Sequence, residues 1–343
     1  MKKIFDKNQR FSICSYKEMN SDDWDNFVDN NETGYTYHYY NNIILDEGLV
    51  SQNISFAIFD NTVKKIVLLM PLYIKKGNNK LICRKGFVIK DGLTKKYMNK
   101  VSLFFMSCID NILGKYNLDE LCTELPALIR SNLPNRIHQL VNPLIFFGFE
   151  PKIRYTWIVD LGKEENRIIA DCEQTTRQAI RRFIGDRKYV FSETSKSTIN
   201  KDICDFVSLA KITYKEFPDK GNNEDYYKNV ILTVNNNYCR VFFVREKDSG
   251  IPICSAIIHI SRNTAHYSFG VSIDEKPVGI FRYLIYSVML ELRKSGIIYF
   301  ETGGAYPYLR NSSKMKGISD FKRCFGTFLH PIHMGVFNRR VSY

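Results

Sequence analysis

Residues Gly296–Thr327 read GIIYFETGGAYPYLRNSSKMKGISDFKRCFGT. The apolar run Ile297–Phe300 predicts a buried strand, ending on Glu301-Thr302-Gly303-Gly304. An acid and paired glycines are the residues that end a strand and open a loop, and such loops commonly carry function. The loop that follows gathers Tyr306, Tyr308, Arg310, Lys314 and Lys316. It closes on Ile318-Ser319-Asp320-Phe321-Lys322-Arg323-Cys324-Phe325-Gly326, with Lys322 expected on a closing strand.

Upstream, the pattern predicts one α/β unit. Asp202–Lys215 and Asp225–Leu232 have helical spacing, with Ile203, Phe206, Val207, Ala210 and Tyr214 on one side of the first. Tyr238–Glu246, Ile251–Ser261 and Thr264–Ser272 read as strands, the first two joined at Asp248-Ser249-Gly250. Phe281–Lys294 is a helix that Gly296 ends. The first half repeats this order without repeating the sequence. A strand at Phe11–Tyr16 and a helix carrying Trp24, Phe27 and Val28 come first. The strands Ile54–Phe59 and Lys64–Ile74 follow, with Asp60-Asn61 as their turn, then a helix over Val101–Tyr116. Leu118–Leu125 and Tyr155–Leu161 are strands. Asn135–Phe147 is a helix or loop broken by Pro143, and residues 1–10 are a frayed start.

The 44% apolar and 25% charged fractions are those of a globular chain, and 343 residues leave room for two domains. No apolar run approaches the roughly 20 residues that span a bilayer, and the basic start has no apolar region behind it. The expected location is therefore cytoplasmic. The nine cysteines are scattered without CxxC spacing, so they read as small core residues, and no metal site is expected. The net charge of +13 favours phosphate-bearing partners: nucleic acid, a nucleotide-linked precursor or an anionic membrane.

Glu301/Gly303/Gly304 followed by Ile318, Phe321-Lys322 and Phe325-Gly326 resembles the carboxy-terminal motif of the Fem-type aminoacyltransferases, within the GNAT-like acyltransferase superfamily. Trp24-x-x-Phe27-Val28 followed by Tyr35-Thr36-Tyr37-His38 resembles their amino terminus. The resemblance implies an α/β fold with two tandem GNAT-like domains, over residues 1–160 and 188–343. A basic helix lies between them at 161–187. It implies transfer of an acyl group to an amine of a cell-envelope precursor or amino sugar, with a nucleotide- or lipid-linked sugar as acceptor and peripheral contact with the inner membrane face.

The linker helix, expected over Asp171–Ile184, carries Arg177 and Arg181 one turn apart. A similar helix in some Fem-type members lies near substrate phosphates, a role the Arg fork suits. By resemblance Lys322 sits near the reacting ester, where a cation stabilises the oxyanion. Glu301 is the candidate proton acceptor. Gly303 and Gly304 are expected to line the substrate site, with Tyr306 and Arg310 binding sugar or phosphate. Phe321 and Phe325 either pack or line the acceptor channel.

The donor is the open question. Acetyl-CoA enzymes of this fold hold the pyrophosphate on a Gly-rich turn before the second unit's last helix. Here that turn reads Lys276-Pro277-Val278-Gly279-Ile280-Phe281, with Phe281 where a small residue is needed. Aminoacyl-tRNA is thus the expected donor, used as a co-substrate with no permanently bound cofactor. An acyl-CoA-dependent N-acetyltransferase of surface-polysaccharide synthesis is the alternative, and a non-catalytic binding protein of the same fold is a third reading. The long helical arm with which certain Fem-type members bind tRNA has no counterpart in the sequence.

Overall fold

The computed structural model describes residues 10–45, 52–74, 80–127, 142–217, 223–236, 238–306 and 313–339. The chain divides into two compact units. One comprises Met1–Arg154 with Pro331–Tyr343, the other Tyr155–His330. This division differs from the one expected at 160 and 187. Residues 331–343 count with the first unit, and the basic helix belongs to the second.

In the first unit, β1 (Phe11–Ser15), β3 (Phe56–Asp60), β4 (Lys65–Met70) and β7 (Val88–Ile89) form an antiparallel sheet in the order β1-β3-β4-β7. Strand alternation gives it two apolar faces. Ala57, Leu69 and Val88 face Trp24 and Val28 of α1 (Ser21–Asp29) and Ile43 of α2 (Tyr40–Leu45). Ile58, Leu68 and Met70 face Val101, Phe105, Ile109 and Ile112 of α3 (Lys95–Tyr116). Asn20 caps α1 and Thr94 caps α3 by accepting from backbone N–H groups. A second set of strands in this unit includes β2 (Gln52–Asn53), β5 (Tyr73–Ile74), β6 (Lys80–Cys83) and β8 (Glu120–Glu124). The expected helix or loop at 135–147 is a 3-10 turn at Pro143–Phe147 within its described part.

The second unit is built on the sheet order β10-β11-β12-β13-β14-β9. Its strands are β9 (Glu150–Asp160, of which Tyr155 onward belongs here), β10 (Tyr189–Glu193), β11 (Cys239–Glu246), β12 (Pro252–Ser261), β13 (Thr264–Ser272) and β14 (Tyr299–Ala305). All neighbours are antiparallel except β13 and β14. Phe242, Val244, Ala256 and Ile258 face α4 (Glu165–Asp171), α5 (Gln174–Ile184) and α8 (Ile280–Lys294). Val241, Phe243 and Ile257 face α6 (Ile199–Thr213) and α7 (Glu224–Leu232).

Three elements depart from the expected pattern. The glycines Gly303 and Gly304 lie inside β14 instead of ending a strand. Lys322 lies on a helix, α9 (Ser313–Arg323), and the closing strand is β15 (Phe328–Asn338). Phe321 and Phe325, four apart, meet edge to face, as successive turns of a helix and its exit allow. The basic helix starts at Gln174, because Cys172 and Glu173 are extended and break α4 from α5. None of the nine cysteines is in a disulfide. Burial pushes the Cys83, Cys108, Cys172 and Cys239 thiols up to about 12, whereas Cys204 is exposed.

His38 is fully buried in the first unit. Nδ1 accepts the Tyr35 N–H at 3.0 Å and Nε2–H donates to the Lys85 carbonyl at 3.1 Å, so the neutral ring fits and a second proton does not. Burial pushes the imidazole down to about 4, against the Lys85 and Gly86 carbonyls, which raise it. A depressed histidine contributes stability above its unfolded value and loses it as pH falls through the folded one. Relative to a variant without the imidazole, the wild-type urea midpoint is therefore expected to fall between pH 6.5 and pH 4, the shift corresponding to about 3 kcal/mol. His38→Gln, which cannot titrate, is expected to remove that slope. Asp25, which burial pushes up to about 6, acts in the opposite sense over this window in both proteins, so the difference between them isolates His38, and Asp60 titrates below it. Burial would raise Asp60, but bonds from Tyr97, Arg10 and Thr62 hold it at about 2, so its contribution is lost only at lower pH.

Candidate active site at the β13–β14 fork

The parallel ladder of β13 and β14 is short. Thr264 pairs with Tyr299, Ala265 with Phe300 and His266 with Glu301, and there the pairing stops although both strands continue. Each strand is bulged at that level. On β14, Glu301 faces Ile158 and Gly303 faces Trp157, which leaves Thr302 as an extra residue. On β13, Tyr267 faces Ile258 and Phe269 faces Ile257, which leaves Ser268. Gly303 takes φ +96°, which a side chain resists. Thr302 Oγ1 donates to the Trp157 carbonyl at 3.1 Å and pins the bulge.

Two groups of side chains reach this fork. Alternation puts Glu301 on the same face as Thr156 and His266. The Glu301 carboxylate is 4% exposed; it accepts from Thr156 Oγ1 at 3.1 Å and lies 3.1 Å from His266 Nδ1. His259, opposite His266 in register, places Nδ1 2.5 Å from Ser268 Oγ. His266 is the more open end of this row, its side chain 16% exposed.

Trp157 and Gly303 belong to the other face, where α9 packs. Ser319 of α9 is buried and accepts from both Trp157 Nε1 and the Tyr306 N–H at 3.1 Å. These two hydrogen bonds fix the helix, and Lys322 stands one turn further on. A Cβ on Gly303 would lie 2.7 Å from Lys322 Nζ, so the missing side chain is the space the ammonium uses. Phe321 meets Phe281 and Phe325 edge to face at 5.8 and 5.2 Å, and Phe325 is buried. The Tyr306 ring lies over Gly304. Burial pushes the Tyr267 phenol up, so it stays protonated at neutral pH beside Gly270.

The fork thus gathers Lys322, Gly303, Gly304, Tyr306, Phe321 and Phe325, with Glu301 on the opposite face of the sheet from Lys322. Arg310 lies outside the described residues, as do Tyr308 and the side chain of Lys314. Arg177 donates through Nη1 to the Ala170 and Cys172 carbonyls, so it caps the end of α4, while Arg181 is exposed on α5. His266, Thr156, Trp157 and Ser319 were not expected from the sequence. Their roles depend on cross-strand register, to which the alternation in Tyr155–Leu161 was the only local clue.

The start of α8, where a pyrophosphate would be held in a CoA enzyme, is crowded. Gly279 is its N-cap at φ +88°, and a Cβ there would lie 2.6 Å from Ala179 Cβ of α5. The Ile280 N–H donates to Pro277 and the Arg282 N–H to Gly279, so two of the first N–H groups are occupied.

No family model and no curated protein matches the chain. Solved structures do. FemX superposes with a TM-score of 0.68 at 14% identity, over 92% of this chain and 96% of its own. The tandem GNAT protein from the clavulanic acid biosynthesis pathway, determined without AcCoA, gives 0.56 at 10% identity, over 97% and 100%. The chain has the tandem GNAT fold. L-PGS from Bacillus licheniformis superposes with a TM-score of 0.57 at 12% identity, over 94% and 93%. The two GNAT-like domains expected from the sequence are therefore present.

Gly303→Ala is expected to destabilise the protein by about 1–3 kcal/mol, the range for a side chain forced into a strained backbone region. It also displaces Lys322 Nζ. Gly304→Ala adds a Cβ 3.3 Å from the Tyr306 hydroxyl at an ordinary φ and is expected to change stability far less. Thermal melts of the two variants check this.

Proposed function

We propose that this protein is an acyltransferase of the Fem type, which forms an amide on an amino group of a cell-envelope precursor or amino sugar. The observation that carries the reading is the Lys322 ammonium at the side-chain position of Gly303, at the fork where Glu301 is buried. The tandem GNAT fold supports the reaction class.

In this reading the acceptor amine attacks the ester carbonyl of the donor. The C–N bond forms, and the carbonyl oxygen gains charge that Lys322 stabilises. The amine proton passes to the Glu301–His266 pair, on the opposite face from Lys322, through the gap where the β13–β14 ladder stops. Collapse breaks the ester C–O bond, and the proton goes to the departing ribose oxygen as a hydroxyl. Aminoacyl-tRNA is the proposed donor, because Ala179 and the bonded N–H groups at the start of α8 leave a CoA pyrophosphate little access. The net charge of +13 suits an RNA donor and a nucleotide- or lipid-linked acceptor. Such a donor implies a cytoplasmic site of action, at the inner membrane face when the acceptor is lipid-linked. No permanently bound cofactor is required.

The test is binding and turnover with total aminoacylated tRNA in one series and acetyl-CoA in the other, at several salt concentrations. Charged tRNA is expected to bind above uncharged tRNA and to weaken with salt. Lys322→Met is expected to lower turnover by about 100-fold or more, as loss of an oxyanion contact does. Tight acetyl-CoA binding instead makes the protein an N-acetyltransferase. Binding without turnover makes it a binding protein of this fold.

A further inference from the structure

The first unit buries a lysine in a conformation that lysine disfavours. Lys85 has φ +60°, the left-handed region, and its side chain is 7% exposed. Several bonds hold the turn there. His38 Nε2–H donates to the Lys85 carbonyl, Cys83 Sγ donates to the Gly86 carbonyl at 2.7 Å, and Thr123 Oγ1 donates to the Cys83 carbonyl at 3.0 Å. Leu125 occupies the space beside Gly86. Strain so over-determined by its surroundings is a mark of functional positions.

The arrangement delivers Lys85 Nζ to Glu124, 3.1 Å from Oε1. Arg154 Nη2 reaches the other oxygen of the same carboxylate at 2.7 Å. Two cations therefore share one anion. The Arg154 Nε is buried and has no acceptor among the described residues, although the side chain as a whole is 37% exposed. Period-two spacing extends the charge along one face. Glu120 lies on the Glu124 face of β8 and pairs with Lys80 at 2.5 Å, and Lys152 lies on the Arg154 face of β9 and acts electrostatically on Glu120. Lys80, Lys85, Lys152 and Arg154 thus share this face with three carboxylates, Glu120, Glu124 and Glu150, which leaves one positive charge in excess. Lys85 is buried, and the Arg154 Nε is buried without an acceptor among the described residues, a pair of donors that an anion at the edge of the face completes.

We propose that Lys85 and Arg154, bridged by Glu124 and flanked by Lys152, form a binding site for a phosphate or diphosphate group. A guanidinium edge with a spare N–H beside an ammonium is the donor set that phosphate oxygens take. Within the proposed function, this group is the diphosphate of the acceptor, carried by a nucleotide or by a lipid. The inference rests on that reading only for the identity of the carrier.

The experiment measures binding of inorganic pyrophosphate, UDP and farnesyl diphosphate to the full chain by calorimetry and thermal shift, at fixed ionic strength. Wild type is expected to bind pyrophosphate, and Arg154→Gln to weaken it by about tenfold or more, as loss of a charge-assisted bond does. Arg154→Gln keeps Lys85 and Glu124 paired one to one, so it is expected to fold. Should it melt early, the charge-neutral pair Lys85→Met with Glu124→Gln repeats the test. UDP binding tighter than pyrophosphate supports a nucleotide carrier, and tighter farnesyl diphosphate supports a lipid carrier. A wild type that binds none of the three overturns the inference, as does an Arg154→Gln that binds like wild type. Lys322→Met is expected to bind pyrophosphate normally, so failure of the transferase reading and failure of this site are separable.

Discussion

Thr302 is one residue more than β9 can pair with, and the candidate site depends on that surplus. A strand that carries an extra residue must bend, and β14 bends where its parallel ladder with β13 stops. The bend needs a residue at φ +96°, which selects glycine, and glycine leaves the volume that Lys322 Nζ occupies. Ser319 then fixes the helix from two sides through Trp157 and Tyr306. Backbone geometry, the absence of one side chain and the position of one ammonium are therefore a single constraint. A change at any one of them moves the other two.

The buried polar groups follow the rule that a charge leaves water only with partners. Glu301 is held by Thr156 and lies against His266, and Asp60 is held by Arg10 and Tyr97. His38 solves the problem the other way: it stays neutral and spends both ring nitrogens on backbone groups. Each unit thus carries a polar knot of this kind inside an apolar shell. In the first it clamps a lysine turn, and in the second it sits at the fork of a sheet.

Much of this architecture was legible in the sequence. Tyr238–Glu246 and Ile251–Ser261, joined at Asp248-Ser249-Gly250, gave two central strands nearly to the residue, and Phe281–Lys294 showed its apolar helical face. The site was legible in part, because Glu301, Gly303 and Lys322 share one stretch of chain. What escaped was whatever depends on distant pairing. Gly-Gly signals a strand end locally, but a bulge against β9 keeps it in the sheet. The Lys322 segment spaces Met315, Ile318 and Phe321 as a helix does but is mostly polar, and Ser319 and Phe321 hold it through partners on other elements. Arg177 looks like a free phosphate ligand until the break at Cys172 presents carbonyls for it to cap. His266 has no motif at all, since its partner lies on a strand that follows an intervening helix.

The cysteines have a practical side. Cys83, Cys108, Cys172, Cys239, Cys254 and Cys324 sit behind the core, and burial keeps those thiols protonated. Cys14 and Cys122 are partly covered, and burial raises the Cys122 thiol as well. Cys204 stands exposed on α6, one residue from the buried Ile203. Thiolate, not thiol, is what a maleimide attacks, so at neutral pH the reagent meets one site far ahead of the others. The native chain therefore carries its own attachment point for a fluorophore or spin label, on a helix that covers the second unit's sheet.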